Sequence, residues 1–150
     1  MKILINENRH KEMNIEFWMK LAIDLAKERK TPFGAVLVDP EGQHVSGYNT
    51  TILDGAVAHA EINAISKIKQ LDYDRAEELT LFTTVEPCPM CMSAIIWAGI
   101  GEVIYGCDIS TASKYGNQIN IRAKKIASES WYAPIIKGGL LAIECEGLFK

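Results

Sequence analysis

The chain has 150 residues, of which 48% are hydrophobic, so it suits one compact domain over residues 1–150 and leaves no room for two. Its formal net charge of −3 excludes the overall basic surface that is typical of nucleic-acid-binding proteins. No apolar run reaches the roughly 18 residues of a membrane span and the N-terminus lacks a signal-peptide pattern, so we expect a cytoplasmic protein without a membrane partner.

The predicted elements follow a loose N-terminal segment, residues 1–13, which includes His10. Residues 14–30 repeat apolar side chains at helical spacing, begin with the capping residue Asn14 and predict a helix. The segments 33–39 and 44–49 flank the turn residues Pro-Glu-Gly and predict a β-hairpin. The side chains of the first helix that we expect to face the core are Ile15, Trp18, Ala22 and Leu25.

Helices and extended segments alternate through the rest of the chain. Helices are predicted over three segments: 58–71, 87–99 and 119–128. Extended segments are predicted over four: 79–85, 102–107, 133–139 and 140–145. Gly99 ends the second of these helices, as glycine commonly does after a helix C-terminus. Such alternation predicts a mixed or mostly parallel sheet with helices on its faces, an α/β layer fold.

Two short motifs place chemically active side chains at predicted helix starts. His59 and Glu61 begin one helix, and Cys88 and Cys91 begin another, with Pro87 expected in the first turn, where a missing N–H costs nothing. Cysteines three residues apart share one helix face, so both sulfurs can reach a single ion. Two thiolates and one imidazole are good zinc ligands, and three protein ligands leave a fourth position for water.

Glu61 completes a catalytic interpretation of these motifs. A carboxylate beside an activated water can take its proton and return it to a leaving group. Each motif alone has an ordinary explanation: a redox pair or half a zinc knuckle for the cysteines, and capping or a salt bridge for His59 and Glu61. Together, at two helix starts, they favour one catalytic zinc site with Glu61 as the proton-transfer group.

The order His-x-Glu, then Pro-Cys-x-x-Cys, resembles the signature of zinc deaminases. Between about residues 14 and 110 the chain resembles the cytidine deaminase superfamily, in the branch with bacterial guanine deaminases and tRNA adenosine deaminases. The stretches that carry this resemblance are "TPFGAVLV", "GYNTT", "AHAEINAI", "LFTTVEPCPMCMSAIIWA" and "VIYG". It implies a three-layer α/β/α sandwich with a central five-stranded mixed sheet, usually as a homodimer.

The same resemblance implies the site and the reaction. His59, Cys88 and Cys91 would bind one Zn²⁺ per chain, and Glu61 would shuttle protons. The substrate-binding residues would be Asn49, which hydrogen-bonds the base or its sugar, the backbone N–H of Ala60, and Phe33. Core packing explains Phe33 nearly as well. The reaction implied is hydrolytic deamination of a nucleobase-like ring, with release of ammonia.

A small base or nucleoside, a purine such as guanine, is the favoured substrate. "TPFGAV" and "EPCPMC" are closer to guanine deaminases, and an acidic chain argues against tRNA because phosphate binding normally uses clustered Lys and Arg. The one basic stretch, residues 121–127, is expected to be a solvated helix face.

The resemblance stops near Asp108, a weak pocket candidate. Asn117, Gln118 and Asn120 stand near the position where guanine deaminases carry a second acidic residue.

Two other functions stay open from the sequence. The first is a tRNA-specific adenosine deaminase that binds nucleic acid through residues 121–127. The second is a non-catalytic zinc module, which needs a fourth protein ligand such as Cys107. The apolar surface around Trp97 is expected to form part of a dimer interface. Trp131 and Tyr132 are expected to cover the pocket mouth or to pack.

Overall fold

The computed structural model describes residues 13–150 and is built around one five-stranded sheet. The strands lie in the order β2-β1-β3-β4-β5. β1 pairs antiparallel with β2 and β3, whereas β3, β4 and β5 pair in parallel, so the sheet is mixed as expected. The strands are β1 (Gly34–Val38), β2 (His44–Tyr48), β3 (Thr80–Val85), β4 (Glu102–Cys107) and β5 (Ile135–Lys137).

Helices connect and cover these strands. Those in the described residues are α1 (Ile15–Glu28), α2 (Thr51–Asp54), α3 (Ala60–Ile65), α4 (Pro89–Ala98), α5 (Ile109–Ala112), α6 (Ala123–Ser128) and α7 (Ala142–Gly147). Asn14 caps α1 as predicted, because its side-chain oxygen accepts a 3.1 Å hydrogen bond from the N–H of Phe17. Short 3₁₀ turns lie at Ile68–Leu71 and Ala76–Glu78. No helix within residues 13–150 is both long and apolar enough to cross a bilayer.

The sheet separates two apolar cores, because successive strand side chains point to opposite faces. In β1, Ala35 and Leu37 face one core and Val36 and Val38 face the other, and all four are buried. Helices α3, α4 and α6 cover the first core, and α1 and α7 contribute buried side chains to the second. This arrangement confirms the predicted three-layer α/β/α sandwich.

Close contact with β2 fixes the position of α3. A Cβ on Gly47 would lie 2.4 Å from the carbonyl oxygen of Ala60, so only glycine lets the helix start come this near. The side-chain amide of Asn63 then donates a 2.7 Å hydrogen bond to the carbonyl oxygen of Tyr48. The helix start that carries His59 is therefore held rigidly against the edge of the sheet.

The buried face of α1 differs from the predicted one. Met19, Ala22, Ile23 and Ala26 are buried, whereas Ile15 is exposed and Trp18 and Leu25 are only half-buried. The reason is close packing on β1: a Cβ on Gly34 would lie 2.3 Å from the carbonyl oxygen of Ala22. The alanines allow that approach, and the larger side chains are turned towards the margins of the contact.

Three predicted segments need correction. The sequence predicts an extended segment over residues 140–145, but α7 spans Ala142–Gly147 and buries Cys145. A short apolar run fits a buried strand and a buried helix equally well, which explains the error. The helix predicted over 119–128 begins only at Ala123, and the one predicted over 58–71 ends at Ile65 and resumes as a 3₁₀ turn. His10 and residues 1–12 of the predicted loose segment lie outside the described residues.

Candidate metal centre and active site

The predicted metal ligands come together at two adjacent helix starts. His59 is the N-cap residue of α3, Cys88 is the N-cap residue of α4, and Cys91 lies in the first turn of α4. Pro89 occupies the first helical position of α4, so the expectation that Pro87 lies in the first turn is wrong. Pro89 nevertheless suits that position, because the first N–H groups of a helix have no intrahelical acceptor.

The spacing of the ligand atoms fits a tetrahedral zinc ion. His59 Nδ1 lies 3.7 Å from Cys88 Sγ and 3.5 Å from Cys91 Sγ, and all three ligand atoms lie within 4.8 Å of one another. Zinc bonds of about 2.3 Å to sulfur and about 2.0–2.1 Å to nitrogen would place neighbouring S and N ligands about 3.6 Å apart. The residues present therefore fit the metal that the motif implies.

A fourth protein ligand does not join this group within residues 13–150. Cys107, the fourth ligand considered from the sequence, packs with Cys145 in the apolar core that α1 and α7 border. Burial raises the pKa of the Cys107 thiol to about 11, which does not favour a thiolate there. A zinc ion held by His59, Cys88 and Cys91 would thus keep an open coordination position, as catalytic sites do.

The two site cysteines have opposite pKa shifts. A hydrogen bond from the Cys91 thiol, together with one from His59, lowers the pKa of Cys88 to about 4 against the effect of burial. The same Cys88–Cys91 hydrogen bond and burial raise the pKa of Cys91. The hydrogen bond to Cys88 also raises the pKa of His59. Cys88 is therefore a ready thiolate, and a bound cation would favour deprotonation of Cys91 as well.

Glu61 lies beside the ligands without belonging to the ligand group. It is in the first turn of α3 and only 6% exposed. Burial, reinforced by the negative charge of Cys88, raises the pKa of Glu61 to about 7. A carboxyl group with such a pKa can accept and donate a proton with similar ease near neutral pH.

His59, Cys88 and Glu61 line a cavity of about 390 Å³, whereas the third ligand, Cys91, is fully buried next to them. That volume is within the range of about 300–1,000 Å³ for small-molecule sites. Phe33 and Asn49 line the cavity, whereas Ala60 is fully buried and does not. The lining residues are Phe33, Asn49, Thr51, Ala56, His59, Glu61, Val85, Glu86, Cys88, Met90, Asn117, Gln118 and Ile119.

Hydrogen bonds fix the orientation of the Asn49 amide. Its Oδ1 accepts from the backbone N–H of Thr51 at 3.0 Å and from the Thr51 hydroxyl at 2.9 Å. Because a backbone N–H can only donate, the oxygen must be the atom that faces Thr51. The NH₂ group of Asn49 is therefore the end of the amide that can donate to a ligand.

Other pocket candidates lie away from the cavity. Asp108 caps α5 by accepting a 2.8 Å hydrogen bond from the N–H of Thr111, and it does not line the cavity. Tyr132 directs its hydroxyl at the carbonyl oxygen of Ile100, 3.1 Å away, and Trp131 packs against Trp97. These aromatic residues pack against α4 and do not cover the pocket mouth.

The main residue that the sequence analysis missed is Glu86. Its carboxylate is buried in the cavity wall and accepts hydrogen bonds from two distant backbone N–H groups and from Arg122. A glutamate between a buried strand and Pro87 was a visible signal, but its partners lie 23 to 37 residues away. Local spacing alone does not reveal such contacts.

Comparisons with known proteins agree with this geometry. A sequence profile described as the cytidine and deoxycytidylate deaminase zinc-binding region matches residues 12–107. The guanine deaminase of Bacillus subtilis is 38% identical over 115 residues, which cover 69% of this chain and 71% of that protein. The tRNA(Ile)-lysidine synthase of Deinococcus radiodurans is 32% identical over 136 residues, 88% of this chain, but the chain spans only 22% of that protein's length.

Solved structures share the fold. A tRNA:A34 deaminase studied for A-to-I editing at the wobble position of transfer RNA has a TM-score of 0.71 and 30% identity, covering 88% of this chain and 98% of that one. Guanine deaminase from Nitrosomonas europaea has a TM-score of 0.76 at 23% identity, covering 89% and 81%. The profile match spans more than half of the chain and includes all three ligands and Glu61. The chain belongs to the cytidine and deoxycytidylate deaminase family.

Proposed function

We propose that the protein catalyses the zinc-dependent hydrolytic deamination of a nucleobase or nucleoside, with a purine such as guanine favoured, and releases ammonia. The observation that carries this proposal is the group of His59, Cys88 and Cys91, of which His59 and Cys88 line the cavity, with Glu61 buried beside it. One Zn²⁺ per chain, when bound, would acidify a water to a pKa of about 7 and so supply a nucleophile at neutral pH.

Glu61 moves the protons of the proposed reaction. Its carboxylate takes one proton from the attacking water and delivers it to the ring nitrogen next to the amine-bearing carbon. A second transfer through the same carboxyl group moves the remaining proton of the added hydroxyl to the amine. The C–N bond then breaks, ammonia leaves, and the oxygen stays on the carbon as a carbonyl. The net change is the addition of water and the loss of ammonia, which balances without any further reactant.

Three other residues are proposed to hold the ring. The NH₂ group of Asn49 donates a hydrogen bond to an acceptor on the substrate, since its oxygen is engaged by Thr51. Phe33 presents its ring at the cavity wall, where it packs edge-on against Phe149 at a centroid distance of 5.6 Å. Ala60 is fully buried and does not line the cavity, so the contact proposed for it with a ring atom is limited to its backbone N–H, which lies at the first position of α3 and lacks an intrahelical acceptor.

The cavity wall supports a small, uncharged substrate. Among the described residues, no lysine or arginine side chain lines the cavity, whereas Asn117 and Gln118 contribute neutral amides. Phosphate groups are normally bound by clustered cationic side chains. A free base or a nucleoside therefore fits better than a nucleotide. The free thiols of all four cysteines fit the reducing cytoplasm as its compartment.

The tRNA:A34 deaminase structure, of which this chain covers 98%, makes tRNA editing the second candidate function. Two of the three cations in the basic stretch that would bind tRNA form ion pairs within the protein. Arg122 pairs with Glu86 at 2.9 Å, and Lys125 pairs with Glu129 at 2.8 Å. These pairings leave fewer cations for phosphates than the sequence suggests, so a base or nucleoside remains the favoured substrate.

A comparison of kcat/KM for free bases and for an anticodon stem-loop tests this ranking. We expect ammonia release from guanine or another free base to exceed deamination of an anticodon stem-loop by at least about tenfold in kcat/KM, a gap of about 1.4 kcal/mol. The measurement combines ammonia assay with product analysis, and a stem-loop without adenosine at the wobble position is the control. The ranking would be reversed if kcat/KM for the adenosine stem-loop exceeded that for every free base and decreased steeply as the salt concentration rises.

We also propose that two copies form a homodimer through the exposed aromatic surface at the end of α4. Trp97 and Trp131 are 78% and 65% exposed, and their ring centroids lie 4.9 Å apart. Clustered exposed apolar side chains commonly mark interaction sites. Light scattering should give a dimer mass for the wild type and a shift towards monomer for Trp97→Glu, but not for the control Phe17→Ala. A monomeric wild type at micromolar concentration would exclude the dimer.

A further inference from the structure

We propose that the segment between α5 and α6, residues 113–122, is the substrate-recognition element of the cavity, and that Glu86 is the positioning residue that holds it against the metal centre. The recognition role rests on the proposed function, because it assumes that the substrate enters this cavity. The positioning role rests on contacts of the chain itself.

The Glu86 carboxylate binds the starts of α5 and α6, the helices before and after this segment. One oxygen, Oε1, accepts a 3.0 Å hydrogen bond from the backbone N–H of Ile109 at the start of α5. The other, Oε2, accepts a 2.8 Å hydrogen bond from the backbone N–H of Ala123 at the start of α6. The helices before and after the segment are thus connected through one side chain. That side chain lies two residues before the ligand Cys88.

Arg122 adds a charged contact to the same carboxylate. Its Nε lies 2.9 Å from one Glu86 oxygen and 3.0 Å from the other, and its Nη2 lies 3.2 Å from the Tyr105 hydroxyl. The Glu86 side chain is only 1% exposed, whereas that of Arg122 is 54% exposed. A buried carboxylate that is fully hydrogen-bonded rigidifies its surroundings, and removal of its partners is costly.

The segment itself lacks helix and strand, so its position depends on contacts of this kind. Tyr115 provides a second contact: its ring stacks on Phe149 with centroids 4.9 Å apart and planes 11° apart. Phe149 in turn packs against Phe33 in the cavity wall. Both contacts place the segment beside the cavity.

The segment presents neutral hydrogen-bonding groups to the cavity. Asn117, Gln118 and Ile119 all line it. Each amide offers a carbonyl acceptor and an NH₂ donor, so two neighbouring amides can read a base edge that carries both donors and acceptors. Neither can relay a proton as a carboxylate does. Their role is therefore to select and orient the substrate, and proton transfer stays with Glu61.

Glu86→Gln tests the positioning role. In Glu86→Gln, one carboxylate oxygen is replaced by an NH₂ group, which cannot accept a hydrogen bond. In either orientation of the amide, the N–H of Ile109 or that of Ala123 therefore loses its acceptor. We expect KM to rise at least about tenfold while kcat stays within about threefold, because the metal ligands and Glu61 are unchanged. Asn117→Ala and Gln118→Ala should raise KM in the same way. Zinc content should stay near wild type in all three variants.

A matched control exists in the same sheet. Glu102 is another buried carboxylate, 3% exposed, and it pairs with Lys137 at 3.2 Å at the start of β4. Glu102→Gln also removes a buried negative charge, but Glu102 does not line the cavity. It should therefore lower the melting temperature without changing KM.

Hydrogen exchange measures positioning independently of catalysis. Backbone amides of residues 113–122 should exchange at least about tenfold faster in Glu86→Gln than in wild type, and at the wild-type rate in Glu102→Gln. If Glu86→Gln does not fold, Arg122→Ala should show the same pattern more weakly, since both backbone donors to Glu86 remain. If Glu86→Gln or Arg122→Ala folds and its amides in residues 113–122 exchange at the wild-type rate, the positioning role is overturned. Faster exchange with an unchanged KM would overturn the recognition role.

The same experiments separate this inference from the proposed function. If the zinc-loaded wild type deaminates no base or nucleoside, the proposed function and the recognition role both fail. Exchange in Glu86→Gln would still decide the positioning role, because it requires no turnover. If the wild type is active but Glu86→Gln has wild-type KM and exchange, only the present inference fails.

Discussion

Replacing Glu61 with glutamine is expected to reduce turnover by about 10³–10⁴-fold, the upper part of the range for general acid–base catalysis. Glutamine keeps the size and hydrogen-bonding ability of the side chain but has no proton to exchange at neutral pH. One carboxyl group would serve several proton transfers in each turnover, which is why the effect should be large. Zinc content should stay near wild type, because Glu61 is outside the ligand group.

Steady-state turnover and metal analysis on the same preparation check this expectation. Glu102→Gln is the matched control, since it also replaces a buried glutamate but leaves the cavity unchanged. The control should retain both zinc and turnover. A Glu61→Gln protein that keeps its zinc and more than about a tenth of wild-type turnover would remove Glu61 from the proton-transfer role.

Cys88→Ser is expected to lose most of the bound zinc and, with it, turnover by at least about 10³-fold. A serine hydroxyl stays protonated near neutral pH and is a poor ligand, whereas the hydrogen bonds around Cys88 favour its thiolate. Zinc per chain, measured by elemental analysis, should fall from near one to a small fraction. His59→Ala should behave alike, and a chelator should inactivate the wild type until Zn²⁺ is restored.

Cys107→Ser is the control for cysteine replacement. Cys107 is buried in the core on the α1 and α7 side of the sheet, so a hydroxyl there should lower stability but not zinc content. The assignment would be contradicted by a Cys88→Ser protein that retains zinc. Loss of zinc from Cys107→Ser would equally contradict it and would make Cys107 a ligand after all.

The sequence predicted most of the layer architecture, because its signals are local. The continuous apolar run in β1 and the turn residues after it indicated a hairpin, and the capping residue Asn14 marked the start of α1. The grouping of the candidate metal ligands was also predictable, because each half of the group lies within four residues at a helix start. His59 and Cys88 prove to be the N-cap residues of α3 and α4.

What the sequence did not reveal depends on contacts between distant residues. The role of Glu86 required the positions of Ile109 and Ala123, which only the folded chain brings to one carboxylate. The buried face of α1 was set by how closely its alanines approach Gly34, a property of packing and not of helical spacing. For Trp131 the sequence leaves two alternatives, covering the pocket mouth or packing, and only the fold shows that it packs on Trp97.

The measurement that tests the central claim most directly is product analysis in water enriched in oxygen-18. Zinc-loaded protein is incubated with guanine, cytosine, isocytosine, adenine, their nucleosides and related triazines, and ammonia and product masses are recorded together. Hydrolytic deamination predicts that at least one compound yields ammonia in equal amount to a product that carries a single heavy oxygen. Absence of ammonia from every compound, or a product without the heavy oxygen, would contradict the proposed function.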